Sequence, residues 1–268
     1  MVAFCITCSV GLRLKDMGGL RGKVIVITGA ARGLGQEYAK SFAADGAKVV
    51  AADIADCTVT LDLVHRMGGE GIAVKMDVTD MKSVDSMAAA ALKAFGTVDG
   101  LVNNAALYGA LKPGRFDTLS EDDWNATMSV NVTGIWKCCK AIVPTMRKSG
   151  GSIVNIASLA GVYGAPLFLH YTTSKAAVVG MTRGLARELG RDNIRVNAIA
   201  PSGVRTEATM EFFGDKYDKA AEQMRRGQTI QRTLEPADLV GTVTFLLSDA
   251  SSFVTGQTIM ADGGTVMN

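Results

Sequence analysis

The sequence has no dominant charge: 28 lysines and arginines stand against 26 aspartates and glutamates, a formal net charge of +2. No strongly basic face is expected, which argues against a protein built mainly to hold nucleic acid. It also has no run of about 18 apolar residues, so no membrane-spanning helix is expected. The apolar stretch 2–12 has no basic segment before it and no small-residue cleavage site after it, a poor pattern for a secretory signal. Prolines number only five, and no Pro/Gly/Ser linker or internal repeat interrupts 23–264. One domain over 21–268 is therefore expected, with residues 1–20 as a loosely ordered extension. The five cysteines, Cys5, Cys8, Cys57, Cys138 and Cys139, are odd in number and form no spacing framework. That excludes a disulfide-stapled secreted fold and favours a reducing cytoplasm. Cys5-x-x-Cys8 has no second pair downstream, so no metal site is read there. Cys138 and Cys139 fall in a helical pattern and read as small core side chains.

What is present is an alternation. Short β-branched runs at 23–28, 48–53, 72–77, 99–104, 151–157, 194–200 and 257–261 read as strands covered on both faces. Between them lie helical patterns at 33–45, 59–67, 80–95, 121–147, 171–190, 207–226 and 236–248. Repeated strand–helix units imply an α/β fold: one doubly wound domain, its seven-stranded, mostly parallel sheet flanked by helices on both faces. The stretch 202–232 breaks the rhythm with a long helical insert, and such excursions are often lids.

The first strand runs into Thr28-Gly29-Ala30-Ala31-Arg32-Gly33-Leu34-Gly35. Glycines there let the backbone turn sharply and approach a pyrophosphate, and the helix that follows points its free N–H groups at the anion. Gly29, Arg32, Gly33, Leu34 and Gly35 are therefore candidate cofactor contacts. Asp53 ends the second strand, 24 residues after Gly29, near the spacing of a carboxylate that binds the adenosine ribose hydroxyls. It would repel a 2′-phosphate. Ile54, counted with the cofactor contacts, and Ala55 offer no cation. NAD is thus expected over NADP. Arg32 is the counter-signal, because its guanidinium can reach a 2′-phosphate.

Tyr171 and Lys175 are four residues apart at the start of a helical pattern and share a face. A nearby cation favours the ionised phenol and lowers a pKa that is ordinarily about 10. Such a tyrosine exchanges protons with an alcohol or carbonyl oxygen. Ser158 ends the fifth strand, thirteen residues before Tyr171. Ligands of open α/β sheets gather at the carboxyl ends of strands, so Ser158 faces the same crevice as the glycine loop.

Taken together, these motifs resemble the short-chain dehydrogenase/reductase family, single-domain and Rossmann-type, over about 23–264. The matching segments are T-G-x-x-x-G-x-G at 28–35, Asp77, N-N-A-A at 103–106, Asn131, Ser158, Y-x-x-x-K at 171–175, P-S-G-V-R-T at 201–206 and T-G-Q-T-I-M-A-D-G-G at 255–264. The resemblance implies Tyr171 as acid/base, with Lys175 lowering its pKa and bonding the nicotinamide ribose. It implies Ser158 as donor to the substrate oxygen and Asn131 as holder of a relay water. It also implies Asp77 and Val78 as adenine contacts, and Asn104, Ala105 and Ala106 as cofactor lining. Pro201, Val204 and Thr206 would grip the carboxamide. Two departures are visible: Ala106 and Ser202 each stand where the family usually has glycine.

Leu107, Tyr108, Tyr163, Phe168, Met210, Phe212 and Phe213 lie near the expected crevice. Tyr108, Tyr163, Phe168, Met210 and Phe213 are taken as the substrate pocket. No Arg or Lys is dedicated to a substrate carboxylate, Arg115 and Arg205 being the nearest candidates. An apolar or aromatic ketone or alcohol is preferred. His170 reads as a pocket wall or loop residue and His65 as a solvated helix face. The small, apolar residues of 121–147 and 171–190, together with the resemblance, lead to the expectation of a homotetramer or homodimer. Two alternatives stand beside an NAD-dependent alcohol dehydrogenase or carbonyl reductase. One is an NADPH-dependent 3-oxoacyl thioester reductase, the other a dinucleotide-binding protein without catalysis.

Overall fold

The computed structural model describes residues 19–267. Its strands are β1 (Val24–Thr28), β2 (Lys48–Asp53), β3 (Glu70–Lys75), β4 (Gly100–Asn103), β5 (Gly151–Ile156), β6 (Ile194–Pro201) and β7 (Thr258–Ala261). They form one sheet in the order β3-β2-β1-β4-β5-β6-β7, parallel at every pairing. The helices are α1 (Gly33–Ala44), α2 (Thr58–Arg66), α3 (Met81–Phe95), α4 (Glu121–Met128), α5 (Gly134–Met146), α6 (Ala160–Tyr163), α7 (Leu169–Leu189), α8 (Glu207–Phe213), α9 (Tyr217–Gly227) and α10 (Pro236–Leu247). None of the helices in the described residues is long and apolar enough to cross a membrane.

The period of two along the strands divides the core between the two faces of the sheet. Val24, Val26, Val50 and Ala52 pack with Met87, Ile135, Ile142 and Val178 of α3, α5 and α7. Their neighbours Ile25, Ile27, Val49 and Ala51 pack with Tyr38, Phe42, Leu239 and Val243 of α1 and α10. Each fully buried aliphatic side chain contributes about 1.5–3 kcal/mol of transfer free energy. Cys138 and Cys139 lie in the first of these layers, as their helical placement implies, while Cys57 is buried in the second. Cys5, Cys8 and the expected extension fall, up to residue 18, outside the described residues. Leu20 is already part of the body: it is fully buried, and its N–H donates to the Asp45 carboxylate at 2.7 Å.

Three of the differences from the sequence reading bear on the site. β3 lies two residues earlier than expected, because its parallel register pairs Lys75 with Asp53, where β2 ends. Asp77 is thereby released into a turn, where its carboxylate accepts from the backbone and hydroxyl of Thr79. The expected helix over 121–147 is interrupted by a π-helical turn, Ser129–Thr133. The expected helix over 207–226 is two helices: Gly214, at φ +50°, breaks α8 from α9 through a tight turn at Gly214–Lys216. The strand order reverses between β1 and β4. The crevice outside the carboxyl ends of those strands is where an open α/β sheet binds ligands.

Candidate active site

A cleft of about 630 Å³ opens at that crevice. The glycine loop forms its floor. Gly29 has φ +67°, a left-handed conformation natural to glycine, and a Cβ on it would come within 2.7 Å of the Ala105 Cα. A Cβ on Gly35 would overlap the Gly29 carbonyl. Asn104 fastens this turn, its side-chain amide donating to the carbonyls of Thr28 (3.0 Å) and Gly29 (2.9 Å). The Thr28 hydroxyl in turn accepts the N–H groups of Asn104 and Ala105. The result is a bare backbone cradle at the N-terminus of α1, of the kind that accepts a pyrophosphate. Arg32, Gly33 and Leu34 line the cleft, while Gly35 lies beneath the turn.

Asp53 stands at one end. Its carboxylate accepts from the Ala31 N–H at 2.9 Å and the Ala55 N–H at 2.9 Å, which ties the end of β2 to the glycine loop. Ile54, Asp77, Val78, Asn104, Ala105 and Ala106 line the same cleft, as do Pro201, Val204 and Thr206. Thr206 also caps α8, accepting from the Thr209 N–H. Ser202, beside Pro201, lines the cleft with a buried hydroxyl that has no hydrogen-bond partner. The cradle and this orphaned hydroxyl fit a dinucleotide whose polar groups reach both ends.

Tyr171, Lys175 and Ser158 meet at the other end of the cleft. The Lys175 ammonium is almost fully buried and donates to the Ile156 carbonyl, the last of β5, at 2.7 Å. It lies 5.7 Å from the Tyr171 ring centroid. Burial lowers its pKa to about 8. Burial pushes the Tyr171 phenol well above its ordinary value, Tyr108 adds to the rise, and a bond with Ser158 opposes it. Burial thus favours the neutral phenol, opposing the acidification by Lys175 that their helical spacing suggests. Asn131 sits in the π-helical turn behind the cleft wall. Its Oδ1 accepts from the Leu107 N–H at 2.7 Å, and its Nδ2 donates to the Ser174 hydroxyl at 3.1 Å. It thus ties the chain after β4 to α7.

Aromatic residues surround the tyrosine. Tyr108 lies 5.3 Å from Tyr171 and 4.6 Å from Phe212 between ring centroids, and Phe168 lies 4.2 Å from Phe212. Phe213 packs edge-on against Phe212. Tyr108, Tyr163, Phe212 and Phe213 line the cleft; Phe168 backs Phe212 from outside the lining, and Met210 turns outward, 41% exposed. His170 is not a pocket wall: it is fully buried away from the cleft, with neither ring nitrogen hydrogen-bonded. Arg115 and Arg205 pair with Asp117 and Glu235 and do not line the cleft. Two residues that the sequence reading passed over are Glu207 and Glu211, whose carboxylates reach Arg32. Their spacing of four on a helical insert was the available signal.

A family model described as enoyl-(acyl carrier protein) reductase matches residues 29–266. The 3-oxoacyl-[acyl-carrier-protein] reductase FabG of Thermotoga maritima is 39% identical over 254 residues, covering 92% of this chain and 99% of its own. The meso-2,3-butanediol dehydrogenase of Serratia marcescens is 37% identical, over 90% of this chain and 94% of its own. Among solved structures, a 7α-hydroxysteroid dehydrogenase complexed with NADH and 7-oxo glycochenodeoxycholic acid superposes with a TM-score of 0.89 at 33% identity, over 96% of this chain and 99% of that one. The names of these proteins differ in substrate.

Proposed function

The chain belongs to the short-chain dehydrogenase/reductase family of oxidoreductases, and on that footing we propose that it interconverts a secondary alcohol and a ketone with NAD(H). The observation that carries this reading is convergence: Tyr171, Lys175 and Ser158 line the same cleft as the glycine loop and Asp53. A bound nicotinamide supplies or accepts the hydride, and the protein supplies orientation and the proton. Tyr171 is the acid/base. Burial raises the pKa of its phenol and so favours the protonated form, which donates to a carbonyl oxygen during reduction. Ser158 donates to the same oxygen and holds it near the phenol. Lys175 gives one of its three N–H donors to Ile156 and keeps two for groups in the cleft. Asn131 keeps the wall of the cleft in place.

The Asp53 carboxylate, bonded to the loop at Ala31, supports a preference for NAD of at least about tenfold in kcat/KM, about 1.4 kcal/mol. The aromatic rings around Tyr171 support an apolar or aromatic carbonyl substrate, with 202–232 as the lid over it. A spectrophotometric screen at the nicotinamide absorbance band would pair NADH and NADPH with aryl and cyclic ketones, keto esters, steroids and sugar-derived ketones. Turnover with NADH is expected, and Tyr171→Phe should lower it by about 10²–10⁴-fold. A phenylalanine variant that keeps most of the turnover overturns the assignment.

A second reading, a 3-oxoacyl thioester reductase using NADPH, draws support from the Thermotoga relative's name and from Arg32 in the glycine loop. Faster reduction of a 3-oxoacyl thioester with NADPH than of any ketone with NADH would favour it. Nucleotide binding with no turnover across both panels would point to the non-catalytic alternative.

A further inference from the structure

Arg32 and Lys175 are the only cations among the described residues lining the cleft, and Lys175 belongs to the Tyr171 end. Arg32 follows Ala31, whose N–H the Asp53 carboxylate holds. Its guanidinium is therefore the one group placed to pair with a phosphate on the ribose beside Asp53. A guanidinium meets a phosphate through two parallel N–H donors, a geometry it also uses for carboxylates. In this fold both donors are already engaged. Nη1 donates to Glu211 Oε1 at 2.5 Å and Nη2 to Glu211 Oε2 at 3.0 Å, while Glu207 Oε2 lies 3.5 Å from Nη1. Glu211 lies where Gly109 leaves room: a Cβ on Gly109 would come within 2.5 Å of Glu211 Oε2.

We propose that Glu211, supported by Glu207, is a cofactor-selecting residue that keeps the Arg32 guanidinium away from a ribose 2′-phosphate. The two glutamates set two carboxylates against one guanidinium, so a 2′-phosphate has to displace Glu211 to reach it. Selection is then divided between two elements. Asp53 acts from the end of β2, and Glu211 acts from α8 across the mouth of the cleft. The pairing is also visible in the charge states: the Arg32 hydrogen bond holds the Glu211 carboxyl below its ordinary pKa, and the Glu211 hydrogen bond raises that of Arg32. The proposal rests on the reading above only in that the cleft holds a nicotinamide dinucleotide.

The test is binding rather than turnover. NADH and NADPH are titrated by fluorescence against the intact protein, Glu211→Gln, Glu207→Gln/Glu211→Gln, and the triple variant that adds Arg32→Ala. The glutamine variants should tighten NADPH relative to NADH by about two- to fivefold, the range set by an exposed ion pair. The triple variant should lose that gain. An unchanged NADPH-to-NADH ratio in the double variant overturns the proposal, as does a gain that persists without Arg32. A wild-type protein that binds NADPH more tightly than NADH overturns the NAD preference instead, and the response of the ratio to Glu211→Gln still decides the role of Glu211. A protein that binds neither nucleotide overturns both.

Discussion

Tyr171 and Lys175 show how burial changes what spacing alone suggests. One helical turn apart, they invite the conclusion that the ammonium acidifies the phenol. In the fold, loss of solvent drives both groups toward their neutral forms: the phenol upward and the ammonium down to about 8. The lysine shift has a consequence for stability. Below about pH 8 both folded and unfolded chains carry the proton, and the cost of burying the charge is complete. From there to the ordinary lysine value of 10.5, the unfolded chain binds a proton that the folded chain has released. Stability due to this residue therefore rises with pH across that window. Urea unfolding of wild type and Lys175→Met between pH 7.5 and 10.5 checks this. The wild type should gain on the variant as pH rises, because the other titrating groups, including the buried phenols, cancel in the comparison. A difference independent of pH would rule out a depressed lysine pKa.

At the scale of elements, the loop between β1 and α1 is the most constrained. Gly35 sits on α1 with the Gly29 carbonyl and the Asn104 amide where a side chain would go. Gly35→Ala should therefore force the turn open, at about 1–3 kcal/mol of stability by overpacking. It should also abolish tight nucleotide binding. Urea unfolding and a fluorescence titration measure the two effects, and a variant with wild-type values for both would show that the turn accommodates a methyl group. Two other elements depart from a continuous helix. The π-helical turn at Ser129–Thr133 presents Asn131 to Leu107 and Ser174, which lie on different segments. Single π turns of this kind are often found at functional sites. The split of the insert at Gly214 lets α8 bring Phe212 over Tyr108 while α9 continues separately.

For the whole molecule, Val178 and Ala186 of α7 belong to the core, while Ala176 and Val179, with Arg183 and Arg187, line a groove of about 660 Å³ shared with Val162, Thr258 and Met260 near the β7 edge of the sheet. A second copy of the chain at this groove is the expected partner, in a dimer or tetramer. Light scattering at micromolar concentration should report a multiple of the 28.1 kDa chain mass. A monomer would contradict the expectation.

The strand–helix alternation, the glycine loop, Asp53 and the Tyr171–Lys175 pair were legible in the sequence because each rests on short-range rules. A strand declares itself over a few residues, a phosphate turn over eight, and an i, i+4 pair over one helical turn. Only the tertiary structure decided what those residues meet. The sequence places the Arg32 guanidinium in the glycine loop, within reach of a 2′-phosphate, but its partner Glu211 is 179 positions away. Met210 and Phe212 are two residues apart on one helix, and only the packing of α8 sends one outward and brings the other over Tyr108. The burial that raises the Tyr171 pKa has the same origin. Spacing along a helix describes neighbours on that helix, whereas desolvation and ion pairing depend on every segment the fold brings alongside.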